Sequence, residues 1–293
     1  MRAVITGAGG QLARELERSA PPNIEVHSLD RATCDITKLP AIQNAVAKLR
    51  PEFVINTAAF TAVDKAESER ERAFAVNEGG ARNVAEVCAA VGATMVQVST
   101  DFVFDGTHST PYPVDAAPSP INAYGASKLA GEEAVRASGA SYVILRCGWI
   151  YSAMPGNFLT KILGHLQSHR SLRVVDDQVG VPTTAAEVAQ VIWWCAGPTA
   201  PLTNSVLHWA SKGSASRYEF AVAIQELARE EGILDITDAI IPVKTSEFPL
   251  PARRPQYSVL DASATWTAMG RTPAHWRVSL ENTIAGMARA ATA

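Results

Sequence analysis

Short runs of apolar residues alternate with helix-like segments through the first half of this chain of 293 residues. The runs are rich in Val and Ile, which is typical of strands that are buried on both faces of a parallel sheet. We predict strands over residues 2–6, 25–30, 52–59, 94–100 and 142–147. Since strands that alternate with helices form βαβ units, the sequence predicts an α/β protein with a doubly wound parallel sheet, the Rossmann arrangement.

The pattern becomes less regular beyond residue 148, where aromatic and turn residues come before the next helix-like segment. We therefore expect one domain over residues 1–148, with the parallel sheet, and mainly a smaller α/β domain over residues 149–293. Because no long linker separates the two, some segments of the second half are expected to cross back to the first sheet. Within the second half we predict strands over 172–176 and 206–210 and helices over 185–195 and 217–231.

Composition excludes several classes of function. The chain is 47% hydrophobic and 19% charged, as soluble globular proteins are, and its net charge of −3 gives no basic excess for nucleic acid or a membrane surface. The N-terminus lacks a signal-peptide pattern, and no apolar run is long enough to cross a bilayer. The widely spaced cysteines without a CxxC pair indicate free thiols. We expect a cytoplasmic protein that binds neither nucleic acid nor membranes.

A glycine-rich turn follows the first predicted strand. Gly7 and Gly10 stand just before a helix-like segment that starts near Gln11. Such glycines allow a diphosphate to approach the backbone at the positive N-terminus of the helix. The next strand ends at Asp30, where an acid that binds the adenosine ribose is expected, and the following Arg31 is suited to a 2′-phosphate. These residues predict a site for NADP(H) or NAD(H) and favour neither.

Two further segments predict acid–base chemistry. Thr100 ends a predicted strand, at the sheet edge where ligands bind in open α/β sheets. Tyr124 and Lys128 are four residues apart in a helix-like segment and so share one face. An ammonium near a phenol lowers the phenol's pKa from its ordinary value of about 10. We predict that Tyr124 donates a proton to a carbonyl oxygen as hydride reaches the carbon, while Thr100 holds the oxygen and Lys128 also binds the nicotinamide ribose.

Several segments resemble the dTDP-4-dehydrorhamnose reductase family of the short-chain dehydrogenase/reductase superfamily. They are spread over most of the chain, at residues 7–12, 56–67, 99–106, 120–132, 146–151, 177–183 and 254–261. The resemblance implies that NAD(P)H reduces the C4 keto group of dTDP-4-dehydro-L-rhamnose to give dTDP-L-rhamnose. It also implies that residues 1–148 bind the cofactor, that the second domain binds a nucleotide sugar, and that the protein is a monomer or homodimer.

The resemblance assigns catalysis to Thr100, Tyr124 and Lys128, which also contact the ligands. The expected cofactor contacts are Gly7, Gly10, Gln11, Leu12, Asp30, Arg31, Asp35, Ile36, Ala58, Ala59 and Thr61, with Tyr124 and Lys128. The expected substrate contacts are Val63, Thr100, Asp101, Phe102, Tyr124, Trp149, Gln178 and Arg254. Among the latter, Trp149 offers a flat apolar face to a ring and Arg254 a bidentate fork to a diphosphate.

The chain also departs from the family's pattern. Ala13 stands where a third glycine is usual, Phe60 where a histidine is common and Phe102 where a tyrosine is common. Some members hold magnesium between two subunits with glutamates. Glu15 and Glu187 match two such positions, but no third is evident over residues 284–289, so we assign no metal site and leave magnesium open.

Two alternatives remain from the sequence. One is another sugar-nucleotide 4-ketoreductase, an epimerase or a dehydratase on the same scaffold, although dehydratases typically carry Asp-Glu where this chain has Asp101-Phe102. The other is a non-catalytic NADP-binding regulatory subunit resembling that of methionine adenosyltransferase, which keeps much of the segment around Tyr124 and Lys128.

Overall fold

A central sheet of six parallel strands organises the computed structural model, which describes residues 1–168, 171–197, 203–235 and 239–292. The strand order is β10-β5-β4-β3-β1-β2. The strands are β1 (Arg2–Thr6), β2 (Glu25–Leu29), β3 (Phe53–Asn56), β4 (Thr94–Thr100), β5 (Ser141–Cys147) and β10 (Ser205–Trp209). The predicted fold class is therefore confirmed.

Helices cover both faces of this sheet, as a doubly wound sheet requires. One face packs on α1 (Gln11–Arg18) and α8 (Ala185–Cys195) through buried side chains such as Leu12, Leu16 and Ile192. The other face packs on α2 (Leu39–Leu49), α5 (Ala81–Val91) and α6 (Ala123–Ala137), whose contributions include Ile42, Val84 and Val135. Between β3 and α5 lie α3 (Val63–Ser68), α4 (Arg70–Phe74) and a π-helical turn (Ala75–Gly80).

The third strand is shorter than predicted. It ends at Asn56, and the chain then turns toward the end of β1, where the Thr57 hydroxyl donates to the Thr6 carbonyl at 2.6 Å. Residues 57–59 therefore form a loop beside the glycine turn rather than the end of a strand.

A second hydrophobic core lies in the C-terminal half. It joins α7 (Phe158–Ser168), α9 (Arg217–Glu230) and α11 (Trp276–Thr292) through residues that include Leu163, Phe220 and Leu280. Three short two-stranded sheets accompany it. Their strands are β6 (Ile150–Tyr151) with β9 (Thr183–Thr184), β7 (Ser171–Val175) with β12 (Ala239–Val243), and β8 (Val179–Gly180) with β11 (Ala215–Ser216); α10 (Ser263–Ala268) precedes α11.

The C-terminal half also contributes to the central sheet. Strand β10 pairs in parallel with β5, with Ser205 opposite Val143, and α8 packs against α1. The central sheet therefore contains strands from both sides of residue 148. Within the described ranges, no helix combines the length and apolarity needed to cross a bilayer. Cys34, Cys88, Cys147 and Cys195 are buried free thiols, as predicted.

Candidate active site

A cleft of about 700 Å³ opens at the carboxyl edge of the central sheet. Its lining comes from the loops after β1, β2, β3, β4 and β5 and from the start of α9. This is the edge at which open α/β sheets bind ligands. The cleft therefore has a floor formed by the first half of the chain and a wall formed by the second.

The glycine turn lies at one end of the cleft. Gly7 and Gly9 have φ values of +83° and +88°, which side chains rarely adopt. A Cβ at Gly7 would lie 2.7 Å from the Ala58 nitrogen, so only glycine lets the turn approach the loop after β3. Gly10 caps α1 without a side-chain hydrogen bond, and the first turn of α1 holds no acid. The first N–H groups of α1 are thus available to an anion, which fits a dinucleotide diphosphate.

Most of the predicted cofactor residues line the cleft at this end, whereas Tyr124 and Lys128 line its middle. Lining residues among them are Gly7, Gly10, Gln11, Leu12, Arg31, Asp35, Ile36, Ala58, Ala59 and Thr61. Asp30 does not line the cleft: its carboxylate accepts the Thr33 N–H at 2.8 Å and the Thr33 hydroxyl at 2.7 Å. These hydrogen bonds lower the pKa of Asp30 and hold its carboxylate in its own loop.

Gln11 links the glycine turn to the C-terminal half. Its amide nitrogen donates to the Ile150 carbonyl at 3.2 Å, and its amide oxygen accepts from Ser152 and Asn157, each at 3.3 Å. Gln11, the first residue of α1, therefore holds the loop after β5 against the glycine turn.

Thr100, Tyr124 and Lys128 converge in the middle of the cleft. The Thr100 hydroxyl donates to Asp101 at 3.0 Å and accepts the Phe102 N–H at 3.1 Å, because Thr100 caps a short 3₁₀ turn, Asp101–Val103. Tyr124 lies in the first turn of α6, whose N-cap is Asn122, and its ring meets the Phe102 ring edge-on at 5.9 Å. The sequence-predicted catalytic residues are thus brought together by two helix starts.

The pKa of Tyr124 differs from the sequence expectation. Burial raises the pKa of the Tyr124 phenol, the nearby Asp101 adds to this rise, and a hydrogen bond with Thr100 only partly opposes it. We expected Lys128 to lower this pKa, but its ammonium donates to the Val98 carbonyl at 2.7 Å. Burial lowers the pKa of Lys128 itself to about 8, while the charge of Glu132 opposes that shift. At neutral pH the Tyr124 phenol is protonated, and the Lys128 amine, one turn further along α6, is cationic.

A buried ion pair between Glu132 and Arg146 lies next to the segments that carry Thr100 and Lys128. The sequence analysis did not predict it. Glu132 accepts from Ser99 at 2.5 Å and from two nitrogens of Arg146 at 2.9 and 2.8 Å. Arg136 adds a contact at 2.9 Å. Because Ser99 precedes Thr100 and Glu132 follows Lys128 by one turn, this pair fixes both catalytic segments. The position of Glu132, one helical turn beyond Lys128, was the sequence signal that could have indicated this ion pair.

The predicted substrate residues divide into two groups. Val63, Asp101, Phe102 and Trp149 line the cleft, whereas Gln178 and Arg254 do not. Gln178 is buried and its amide donates to Thr245 at 3.0 Å. Arg254 forms a two-point ion pair with Asp64, at 3.0 and 2.7 Å. Both side chains are thus engaged within the protein, and their expected contacts with the substrate stay predictions. The charge of Arg254 nevertheless acts on Arg217, which lines the cleft.

Trp149 occupies the wall of the cleft in an unusual backbone conformation, with φ +51°. A Cβ at Gly180 would collide with its indole, so the ring packs against glycine backbone. The Arg217 guanidinium stacks over the ring at 3.5 Å from the centroid. One face of the indole, which we expected to cover a substrate ring, is therefore occupied by a cation. Arg217 lines the cleft and was missed, because its sequence signal marks only a helix start.

The two glutamates considered for magnesium have partners within the chain. Glu187 accepts from Thr184 at 3.0 Å, from Ser211 at 2.8 Å and from Ser279 at 3.1 Å. Glu15 pairs with Arg18 at 2.7 Å. In the part of the chain that the structure describes, no three His, Cys, Asp or Glu side chains cluster as metal ligands.

Comparisons with known proteins agree along the whole chain. The family model described as the RmlD substrate binding domain matches residues 1–289. The dTDP-4-dehydrorhamnose reductase of Sinorhizobium fredii is 34% identical over 95% of this chain and 95% of its own length. The reductase of Mycobacterium tuberculosis is 37% identical over 98% of this chain and 93% of its own length.

A solved structure shows the same architecture. The crystal structure of the Bacillus anthracis dTDP-4-dehydrorhamnose reductase in complex with NADP is 35% identical, covers 96% of this chain and 98% of that one, and superposes with a TM-score of 0.90. Full-length matches at this level of identity establish the family that the motifs indicated. The chain therefore belongs to the dTDP-4-dehydrorhamnose reductase family.

Proposed function

We propose that this protein uses NADPH or NADH to reduce the C4 keto group of dTDP-4-dehydro-L-rhamnose, giving dTDP-L-rhamnose. The observation that carries the proposal is the convergence of Thr100, Tyr124 and Lys128 in one cleft with the glycine turn at its end. The names of the relatives support the substrate, and the NADP complex of the Bacillus anthracis enzyme supports the cofactor.

The residues of the chain supply binding and proton transfer. When bound, the reduced nicotinamide supplies a hydride to the carbonyl carbon. As the carbonyl π bond breaks, the oxygen gains charge and takes the proton of the Tyr124 phenol. Burial keeps that phenol protonated at neutral pH, so the donor is in the correct state before reaction. The Lys128 ammonium, one helical turn away, stabilises the phenolate that remains until solvent returns a proton.

Thr100 and Asp101 form the oxygen-binding part of the site. The Thr100 hydroxyl donates to Asp101 in the structure, so donation to a substrate oxygen requires it to rotate away from that carboxyl. Burial raises the pKa of Asp101, while its hydrogen bonds with Ser258 and Thr100 oppose that rise. Thr100 therefore holds the substrate carbonyl for Tyr124.

The position of Phe102 favours simple reduction over dehydration. Elimination of water needs an additional acid and base next to the sugar. Phe102 follows Asp101 and packs edge-on against Tyr124 at 5.9 Å, so an apolar ring occupies the place where dehydratases carry an acid. In the same proposal, residues 1–148 hold the cofactor, and most of residues 149–293 enclose the sugar nucleotide.

The test is a cofactor-consumption assay on purified protein with a panel of nucleotide-linked 4-keto sugars. We expect oxidation of NADPH or NADH with dTDP-4-dehydro-L-rhamnose and formation of dTDP-L-rhamnose. Release of water from dTDP-glucose, or tight NADPH binding without turnover of any 4-keto sugar, would contradict the proposal. The second result would favour a regulatory subunit.

A further inference from the structure

Arg217 is a cation that the sequence analysis did not assign. It is the first residue of α9, whose N-terminus is fixed by the capping box of Ser216 and Glu219. Its backbone N–H donates to the Gln178 carbonyl at 3.1 Å. The guanidinium stacks on Trp149 at 3.5 Å and lies 5.1 Å from the centre of the Phe158 ring. The side chain is thus held on the wall of the cleft by aromatic contacts.

The other cations that line the cleft have polar partners. Lys128 donates to the Val98 carbonyl, Arg31 lies 3.6 Å from Asp35, and Arg72 pairs with Glu69 at 2.6 Å. Across the described residues, the Arg217 guanidinium donates no hydrogen bond and forms no ion pair; burial and the charges of Asp101 and Arg254 act on it. Stacking covers a face of a guanidinium and leaves its N–H donors, which lie in its plane, available.

The opposite charge that acts on Arg217 is that of Asp101, whose carboxyl already has partners. Its carboxyl accepts from Thr100 at 3.0 Å and from Ser258 at 2.6 Å. Burial lowers the pKa of Arg217 to about 10, so the guanidinium stays charged at neutral pH although it is partly desolvated. A desolvated cation with free N–H donors is a strong partner for a phosphate, because charge-assisted hydrogen bonds gain strength away from water.

The position of Arg217 indicates which of two diphosphates it would bind, that of the cofactor or that of the nucleotide sugar. The diphosphate of the cofactor fits the N-terminus of α1 at the glycine turn. Arg217 belongs to the wall formed by the C-terminal half, beside Trp149 and Asp101. Arg254, the residue that we expected to bind a diphosphate, is paired with Asp64. The free guanidinium is therefore on the substrate side of the cleft.

We infer that Arg217 binds the diphosphate of the nucleotide-sugar substrate and so selects nucleotide-linked sugars over free sugars. This inference rests on the proposed function. Trp149 acts with it as a positioning residue, since the indole that packs against Gly180 supports the guanidinium from one side.

The test measures dTDP binding to the NADP⁺-saturated protein by calorimetry, for the wild type, Arg217→Met and Arg217→Lys. Methionine keeps much of the side-chain volume and removes the charge, and we expect dTDP affinity to fall roughly 10- to 100-fold. Lysine keeps the charge without the planar fork, and we expect an intermediate loss. NADP⁺ affinity should be unchanged in both variants, and KM for the sugar nucleotide should rise more than kcat falls.

Arg70→Met is the matched control. Arg70 stacks on Phe74 at 4.9 Å, is exposed and does not line the cleft, so its variant removes a comparable cation–π contact without touching the site. We expect wild-type dTDP affinity from it.

Three outcomes would overturn the inference: no dTDP binding by the wild type, dTDP affinity of Arg217→Met within about twofold of wild type, or an equal loss of NADP⁺ affinity. Failure of the proposed function is a separate result. A wild type that binds dTDP through Arg217 yet reduces no 4-keto sugar would leave the inference standing and remove the reductase assignment.

Discussion

The two ends of the cleft are built in different ways. The end that we propose for the cofactor depends on backbone: the positive φ of Gly7 and the start of α1 without a side-chain cap are set within a few residues. The close approach of the turn to Ala58 follows from the pairing of β1 with β3. The end that we propose for the substrate depends on side chains from distant parts of the chain, with Arg217 stacked on Trp149 and Ser258 bonded to Asp101. Local backbone features can be predicted from sequence, whereas a contact between residues 149 and 217 requires the fold.

We expect the largest loss of activity from a substitution in the middle of the cleft, between its two ends. Tyr124→Phe removes the proton donor and leaves the ring in contact with Phe102. We expect kcat to fall by about 10²- to 10⁴-fold, the range for general acid catalysis, with NADP⁺ and dTDP affinity retained. Single-turnover oxidation of NADPH measures it. Wild-type turnover by this variant would remove Tyr124 from the mechanism.

Gly7→Ala tests the backbone character of the cofactor end. The new Cβ would lie 2.7 Å from the Ala58 nitrogen at a φ of +83°, so we expect the free energy of unfolding to fall by roughly 1–3 kcal/mol and NADPH affinity to fall with it. Denaturant unfolding and NADPH titration measure the two effects.

Gly164→Ala is the control for that substitution, since a Cβ there meets nothing within 4 Å inside α7. Alanine favours a helix, so we expect equal or higher stability and unchanged NADPH affinity. If Gly7→Ala binds NADPH as tightly as Gly164→Ala does, the turn is not the cofactor site.

The pH dependence of kcat/KM tests the effect of Glu132 on Lys128, in the middle of the cleft. Burial lowers the pKa of Lys128 to about 8, and the charge of Glu132 opposes that shift. Activity that needs the ammonium should therefore decline as pH rises through about 8. Glu132→Gln removes the charge, so this alkaline decline in kcat/KM should move to lower pH. A decline at the wild-type position in this variant would show that Lys128 does not cause it.

Glu132→Gln should also change stability in a defined pH direction. Hydrogen bonds and the charge of Arg146 lower the pKa of Glu132 below its ordinary value despite burial. A lowered folded-state pKa contributes stability above the unfolded-state pKa, and that stability is lost as pH falls through the folded-state pKa. We expect the wild-type advantage over this variant to shrink on acidification, measured by unfolding at several pH values.

The smallest effect is expected from Arg254→Met. Sequence reasoning assigned the diphosphate to Arg254, but its ion pair with Asp64 is partly exposed, so its loss should cost within about 1 kcal/mol of stability. We expect dTDP affinity to change far less than in Arg217→Met. Equal losses in the two variants would remove the distinction between the paired and the unpaired arginine.

Much of the fold follows from the sequence because it depends on local patterns. The parallel strands and the helices Ala185–Cys195 and Arg217–Glu230 lie where their periodicity places them, and the glycine turn is visible from its position after β1. The bonds of Asp30 to Thr33 were not predicted, because a strand-end acid carries no sequence signal for such bonds within its own loop. The ion pair of Arg254 was not predicted because its partner Asp64 lies far away in the sequence. A partner that is distant in the sequence cannot be predicted from the local pattern around a residue.

The most direct test of the central claim follows the hydride itself. The protein is supplied with dTDP-4-dehydro-L-rhamnose and NADPH in which deuterium replaces both hydrogens at nicotinamide C4, and the product is analysed by NMR. The reductase proposed here places one deuterium on C4 of dTDP-L-rhamnose, with release of NADP⁺ in equal amount. A product with no deuterium at C4, or NADPH that stays unoxidised while bound, would contradict it.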